Sequence, residues 1–266
     1  MRDENIKTIL FSILCIVTSL WIIGYTFMLI YPTIEISNIW RIVAAIGWCF
    51  FNSIWISFVF SLKKSNLKLK NEIKDRRRAE DQIRLLIYYD ALTQIFNSKK
   101  MLEDVDVLLE DKNKKFAILF IDLDKFKSVN DSYGHQAGDN ILKLAAMRLK
   151  NIIRSTDTIY RIGGDEFIII LRDLEGILNA QKIAANVLEA LTTTFAYKQH
   201  QLCIGATIGI SIFPKDGIDV ETLIKKADLA MYELKRRGGN GYNIYSPELE
   251  ENSNNSSMKI KSYYIF

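Results

Sequence analysis

The sequence predicts a layered α/β, or α+β, domain preceded by a two-helix transmembrane hairpin and a helical linker. Three observations predict it. From Asp90 onward, short apolar runs alternate with stretches whose apolar residues recur at helical spacing, the pattern of strands packed under helices. Residues 160–171, YRIGGDEFIIIL, set two apolar arms around Gly163, Gly164, Asp165 and Glu166, which reads as a β-hairpin with acid at its turn. Two long apolar stretches occupy the N-terminal part of the chain.

The first stretch, residues 9–30, contains no charge and is long enough to span a bilayer. A signal peptide is the rival reading, but the segment is long and no small-residue cleavage site follows it. The second, residues 42–61, follows a link containing Tyr31, Pro32, Glu35 and Arg41, and neither stretch has a polar face. Trp40 suits a membrane interface. Arg2 and Lys7 precede the hairpin, and Lys63, Lys64, Lys68, Lys70, Lys74 and Arg76 to Arg78 follow it. The positive-inside rule then predicts a multi-pass protein of the cytoplasmic (inner) membrane, with both termini and the downstream domain in the cytoplasm. The external link leaves no room for a folded sensor domain.

Residues 62–87 are charged and free of Gly and Pro, hence helical. Apolar residues at 62, 69, 73, 83 and 87, with Asn66, Arg76 and Glu80 between them, make a leaky heptad seam for a short parallel coiled coil. A single helix lying on anionic lipid is the alternative. Nucleic-acid binding is not expected, since no aromatic platform is interleaved with the basic run.

Within the domain, Asn97 is placed to cap a helix running to about Asp111. Residues 115–122, KFAILFID, read as a strand buried on both faces, followed by a loop and a helix over 136–153. That helix should bury Ile141, Leu142, Leu144, Ala145, Met147 and Leu149. After the hairpin come a helix over 178–192, strand material over 202–213, a helix over 220–236 and an edge strand over 242–245. The tail, 247–266, is polar and expected to be disordered. Cys15, Cys49 and Cys203 have no metal-ligand spacing and read as small buried hydrophobes. With His135 and His200 alone there is little for a histidine-based metal site, and the net charge of +4 is modest.

The candidate chemistry lies at two acidic strand ends. Asp122 and Asp124 close one strand, and Asp165 and Glu166 sit in the hairpin turn. Carboxylates brought that close raise one another's pKa unless a cation offsets them, and an oxygen-rich site of this kind suits magnesium.

Asp122-Leu-Asp-Lys-Phe-Lys-Ser-Val-Asn130, Gly134-His135-Gln-Ala-Gly138-Asp139 and Arg161-Ile-Gly163-Gly164-Asp165-Glu166-Phe167 together resemble the GGDEF family of diguanylate cyclases. The resemblance covers residues 88–246. It implies an adenylyl-cyclase-like, ferredoxin-related palm with helices around an antiparallel sheet. It also implies condensation of two GTP into cyclic di-GMP with release of pyrophosphate by a homodimer, each domain bringing one GTP.

Carried over by motif, Asp122 and Asp165 are the metal ligands, with the Leu123 carbonyl adding an oxygen, for two Mg2+ or Mn2+ ions per active site. Glu166 is a further essential acid, a ligand or a base. Asn130 and Asp139 match the guanine-reading positions, where an Asx-turn and a helix cap are the bland alternative. Gly164 is expected against ribose or phosphate, and Lys235 on phosphate, with Arg236 or Arg237 as further candidates. Arg154 and Asp157 form an RxxD pattern at the family offset, implying a site where cyclic di-GMP binds as an inhibitor; a local surface ion pair is the alternative.

The chain departs from the family where Gly239 replaces the usual arginine, and where Gln94, Phe96 and Ser98 replace the usual Gly, Pro and Arg. These departures motivate an alternative function, a membrane-bound domain that senses GTP or cyclic di-GMP with weak turnover.

Overall fold

A computed structural model describes residues 15–26, 29–30 and 38–250. Residues 1–14, the link at 31–37, the side chain of Trp40 and the tail from 251 therefore lie outside the described residues, with the expectations attached to them. The chain divides into two compact units, one up to Arg78 and one from Ala79.

In the first unit, helix α1 covers Cys15–Thr26. Trp21 stacks on Trp48, ring centroids 6.5 Å apart, and lies over Gly47, where an added Cβ would stand 3.3 Å from the indole. The hydroxyls of Thr18, Ser19 and Thr26 and the amide of Asn52 donate to carbonyls three or four residues back, so these apolar helices satisfy their polar groups locally. Helix α2 runs unbroken over Asn38–Tyr88. The predicted second span and the predicted linker are thus one element, because no Gly or Pro falls between 48 and 88 to interrupt it. Among the described residues, α2 is the one helix long and apolar enough to cross a membrane by length and composition.

The second unit is built on a six-stranded sheet. In chain order it comprises β1 (Phe96–Asn97), α3 (Ser98–Leu109), β2 (Phe116–Asp124), α4 (Phe126–Tyr133), α5 (His135–Ile152), β3 (Thr158–Gly163) and β4 (Glu166–Leu171). There follow α6 (Ile177–Thr192), β5 (Phe195–Tyr197), β6 (His200–Leu202), β7 (Gly205–Phe213), α7 (Val220–Arg236) and β8 (Gly241–Ile244). The sheet order is β1-β3-β4-β2-β7-β8, while β5 and β6 pair separately. The expected antiparallel sheet holds for the interior pairings, but both edges, β1 with β3 and β7 with β8, are parallel.

Alternation along β2 divides the core into two layers. Ala117, Leu119, Ile121 and Leu123 point toward the layer containing Ile141, Leu149, Val187 and Leu191 of α5 and α6. Phe116, Ile118 and Phe120 point the other way, toward Met101 and Val105 of α3 and Leu223, Ala227 and Met231 of α7. Helix α7 sits hard against the sheet at Gly209, where a Cβ would lie 1.9 Å from the Ala227 carbonyl oxygen. Ser211 Oγ completes that seam by donating to the Leu223 carbonyl.

Several expectations need correction. The stretch after β2 is a helix, α4, and not a loop. It begins after Lys125, which holds a left-handed φ of 59° and supplies no side-chain cap, so the usual start signal is missing. Met147 is exposed on α5, not part of its buried stripe, and Cys49 and Cys203 are exposed rather than buried. The start of the tail is ordered: Leu249 packs with Leu229, Ala230 and Tyr245, and the Tyr245 hydroxyl donates to Glu250.

Candidate active site

Strand register decides which side chains meet. Asp122 lies directly across from Glu166 on β4 and from Thr207 on β7, so these side chains share the α7 face of the sheet. The turn between β3 and β4 returns Asp165 to the same strand end, where the Leu123 N–H donates to the Asp165 carbonyl at 3.3 Å. The predicted metal residues therefore converge.

The electrostatics are those of a crowded acid site. Asp122 is only 7% exposed. Burial pushes its carboxyl up to about 6; the Lys235 ammonium opposes the shift, and Asp165 and Glu166 add to it. Lys235 reaches over from the last turn of α7. Its Nζ forms an ion pair with Asp122 and stands 4.0 Å from Asp124 Oδ1. Asp122 Oδ1 is sealed from solvent and is the oxygen paired with that ammonium. Among the described residues, no group of three or more His, Cys, Asp or Glu is spaced to hold a metal ion by protein ligands alone. The donors present are hard oxygens around a buried acid already balanced by a cation, which fits a divalent ion completed by phosphate oxygens.

Of the two turn glycines, Gly164 takes a positive φ of 52°, and a Cβ there would meet no protein atom within 4 Å. The space beside it is open. Arg161 locks the turn from behind, its Nε and Nη2 donating to the Gly164 carbonyl at 3.1 and 2.7 Å. Its Nη1 donates to Asp90 Oδ1 at 2.9 Å, and Asp90 also accepts from the N–H and hydroxyl of Thr93. Burial raises the Asp90 pKa, but these bonds outweigh it and hold the carboxyl below its ordinary range. Nearby, Gln94 adopts a φ of 59° in the place where the family pattern has glycine.

Asn130 on α4 and Asp139 on α5 lie on adjoining helices. Gly138 lets the helices approach, since a Cβ there would overlap Asn130 Oδ1 at 2.0 Å. That Oδ1 is buried without a hydrogen-bond partner. Asp139 is exposed.

Arg236 is committed to buried Glu233 at 2.9 Å, whereas Arg237 is exposed at the end of α7. At the far end of β3, Asp157 is buried and accepts from the backbone N–H groups of Arg154 and Arg172 at 3.3 and 3.1 Å. Arg154 is exposed, and both line a cavity of about 550 Å³ with Tyr89, Gln94 and Lys150. Sequence reasoning missed the locking role of Arg161 and the environment of Asp124. The Thr207 hydroxyl and the Asn240 N–H both donate to Asp124, at 2.8 and 2.9 Å. Arg161 carried a signal, as the charged residue just before the turn; Thr207 carried none.

Residues 87–241 match the family model described as "Diguanylate cyclase, GGDEF domain", and the chain belongs to that family. It is 33% identical over 207 residues, 75% of its length, to the bifunctional diguanylate cyclase/cyclic di-GMP phosphodiesterase MucR of Pseudomonas aeruginosa, covering 30% of that protein. It is 34% identical to the diguanylate cyclase TpbB of the same organism over 56% of this chain and 35% of that one. The chain thus spans about a third or less of these relatives. Among solved structures, the GGDEF domain of TpbB superposes with a TM-score of 0.61 at 31% identity, covering 63% of this chain and 99% of that one. The coiled coil and GGDEF domain of DgcB from Caulobacter crescentus, solved with c-di-GMP, shares the fold at a TM-score of 0.63 and 22% identity, covering 69% and 99%.

Proposed function

We propose that the chain is a membrane-tethered diguanylate cyclase that condenses two GTP into cyclic di-GMP and two pyrophosphates. The observation that carries this reading is the buried Asp122 beside Asp165 and Glu166, with the Lys235 ammonium in contact. In each half-reaction a ribose 3′-hydroxyl oxygen bonds to the α-phosphorus of the other nucleotide, the bond from that phosphorus to pyrophosphate breaks, and the hydroxyl proton passes to Glu166 or to water. Asp122, Asp165 and the Leu123 carbonyl would hold a divalent cation, which would supply charge neutralisation to the reacting centre. Glu166 holds or receives charge beside them. Asn130, whose buried Oδ1 lacks a partner, and Asp139 read the guanine edge. Gly164 leaves room for ribose or phosphate, and Lys235, with Arg237, faces the phosphates.

One domain holds one nucleotide, so two copies must face each other, and proximity then supplies much of the rate. Leu69, Ile73 and Ile83 are exposed along α2, which supports pairing of that helix with a second copy. The exposed guanidinium of Arg154, above a backbone-anchored Asp157, suits the guanine and phosphate of a bound product. The apolar part of α2 supports attachment to the cytoplasmic membrane. Gly239, at the family's arginine position, favours a second reading, a sensor that binds GTP or cyclic di-GMP with little turnover.

The test is magnesium-dependent conversion of GTP by the full chain in detergent, beside Asp165→Asn. Product from the parent alone is expected. Equal product from both sinks the site assignment, and binding without product from either favours the sensor.

A further inference from the structure

We propose that Asp124 is a positioning residue: with Thr207 and the backbone of Asn240 it seats Lys235 and the 238–240 turn against a nucleotide's phosphates, in a chain with glycine at 239. This deepens the cyclase reading and rests on the acid cluster being a nucleoside-triphosphate site.

A carboxylate beside a phosphate site repels the ligand unless its charge is used within the protein. Asp124 is placed for that use. Thr207, wholly buried, brings its Oγ1 to 2.8 and 2.9 Å from the two carboxylate oxygens. The Asn240 N–H lies 2.9 Å from Oδ2 and 3.2 Å from Thr207 Oγ1. Such charge-assisted bonds are among the stronger ones a protein makes. The Lys235 ammonium, 4.0 Å away, is then held between Asp124 and Asp122.

Two glycines wall this carboxylate. A Cβ on Gly205 would lie 2.9 Å from Asp124 Oδ2. A Cβ on Gly239, where φ is +69°, would lie 2.9 Å from Thr207 Oγ1 and 3.1 Å from Asp124 Oδ2. Gly238 and Asn240 on either side also have positive φ, 120° and 51°. This turn is therefore shaped around the absence of a side chain at 239, so restoring arginine displaces the very bonds that hold the turn. Beside it a cavity of about 360 Å³ is lined by Asp124, Lys125, Cys203, Gly238 and Asn240.

The experiment titrates GTP and GMP against the full chain in detergent with magnesium, for the parent, Thr207→Val, Thr207→Ser and Gly239→Arg, with KM and kcat measured in parallel. Thr207→Val is expected to weaken GTP about tenfold while moving GMP less than about twofold, because the Lys235 and 238–240 turn that it loosens face the outer phosphates. Thr207→Ser, which keeps the hydroxyl, should recover most of that loss, and Gly239→Arg should weaken GTP as well. Tighter GTP binding by Gly239→Arg overturns the proposal, as does an unchanged GTP-to-GMP ratio in Thr207→Val. A parent that prefers GTP to GMP but makes no cyclic di-GMP defeats the cyclase reading alone, and the ratios still decide the role of Asp124. A parent without that preference defeats the positioning role. Asp124→Asn repeats the titration should Thr207→Val fail to fold.

Discussion

Asp122 and Asp157 are both buried carboxylates set at ends of strands in one sheet, yet they are balanced in opposite ways. Asp157 accepts from the backbone N–H groups of Arg154 and Arg172, donors fixed by the fold itself. Asp122 faces two further acids and leans on one ammonium at the tip of a long side chain. A carboxylate satisfied by backbone donors is held in place by the fold. One balanced by a movable cation among like charges is arranged for a ligand that brings positive charge with it.

Substitution can break this contrast. The largest expected effect is on chemistry: Asp122→Asn should lower cyclic di-GMP formation by about 100-fold or more, the scale of losing preorganised charge stabilisation. Its melting temperature should not fall, because the change removes a buried charge from an acid cluster. Asp157→Asn should do the reverse. Its amide turns a donor toward a backbone N–H, which costs about 1–3 kcal/mol in denaturant unfolding, with turnover at low product concentration retained. An Asp157→Asn protein of parental stability would remove the distinction.

The smallest effect sharpens it by pH. Asp90 has its folded pKa depressed, so its stabilisation is complete above the unfolded carboxylate value and is lost as pH falls through the folded one. Asp90→Asn should therefore cost about 1 kcal/mol near neutral pH, moderated because the pair is partly solvated. The gap between parent and variant should close below about pH 4. A gap that persists in acid would show that Asp90 acts by shape and not by charge.

Much of this was legible beforehand, and the exceptions have physical causes. The doubly buried β2, the hairpin of β3 and β4, and α7 announce themselves through apolar period and turn chemistry, and Asn97 does cap α3 by accepting from the Lys100 N–H. Helix α4 hid because its start depends on a left-handed lysine. Strand β1 has two residues and takes its identity from pairing with β3, which no local pattern encodes. The acids of the site were visible as strand-end residues. The bond from Thr207 to Asp124 joins positions 83 residues apart, and only register brings them together. Gly239 read from sequence as a missing arginine; the fold shows a crowded left-handed position where a side chain is strained.

The seam at Gly209 has a genetic consequence. A methyl group there would have to clear the Ala227 oxygen at 1.9 Å and the Met231 N at 2.5 Å, so α7 must back away from the sheet. Lys235 lies one helical turn beyond Met231, and a misplacement of about 1 Å in a catalytic constellation can cost about 100-fold in rate. In a screen for loss of signalling, Gly209→Ala would then score alongside substitutions of the acids, though the residue touches no substrate. The map of sensitive positions should extend as a narrow track through the middle of the sheet, following the underside of one helix.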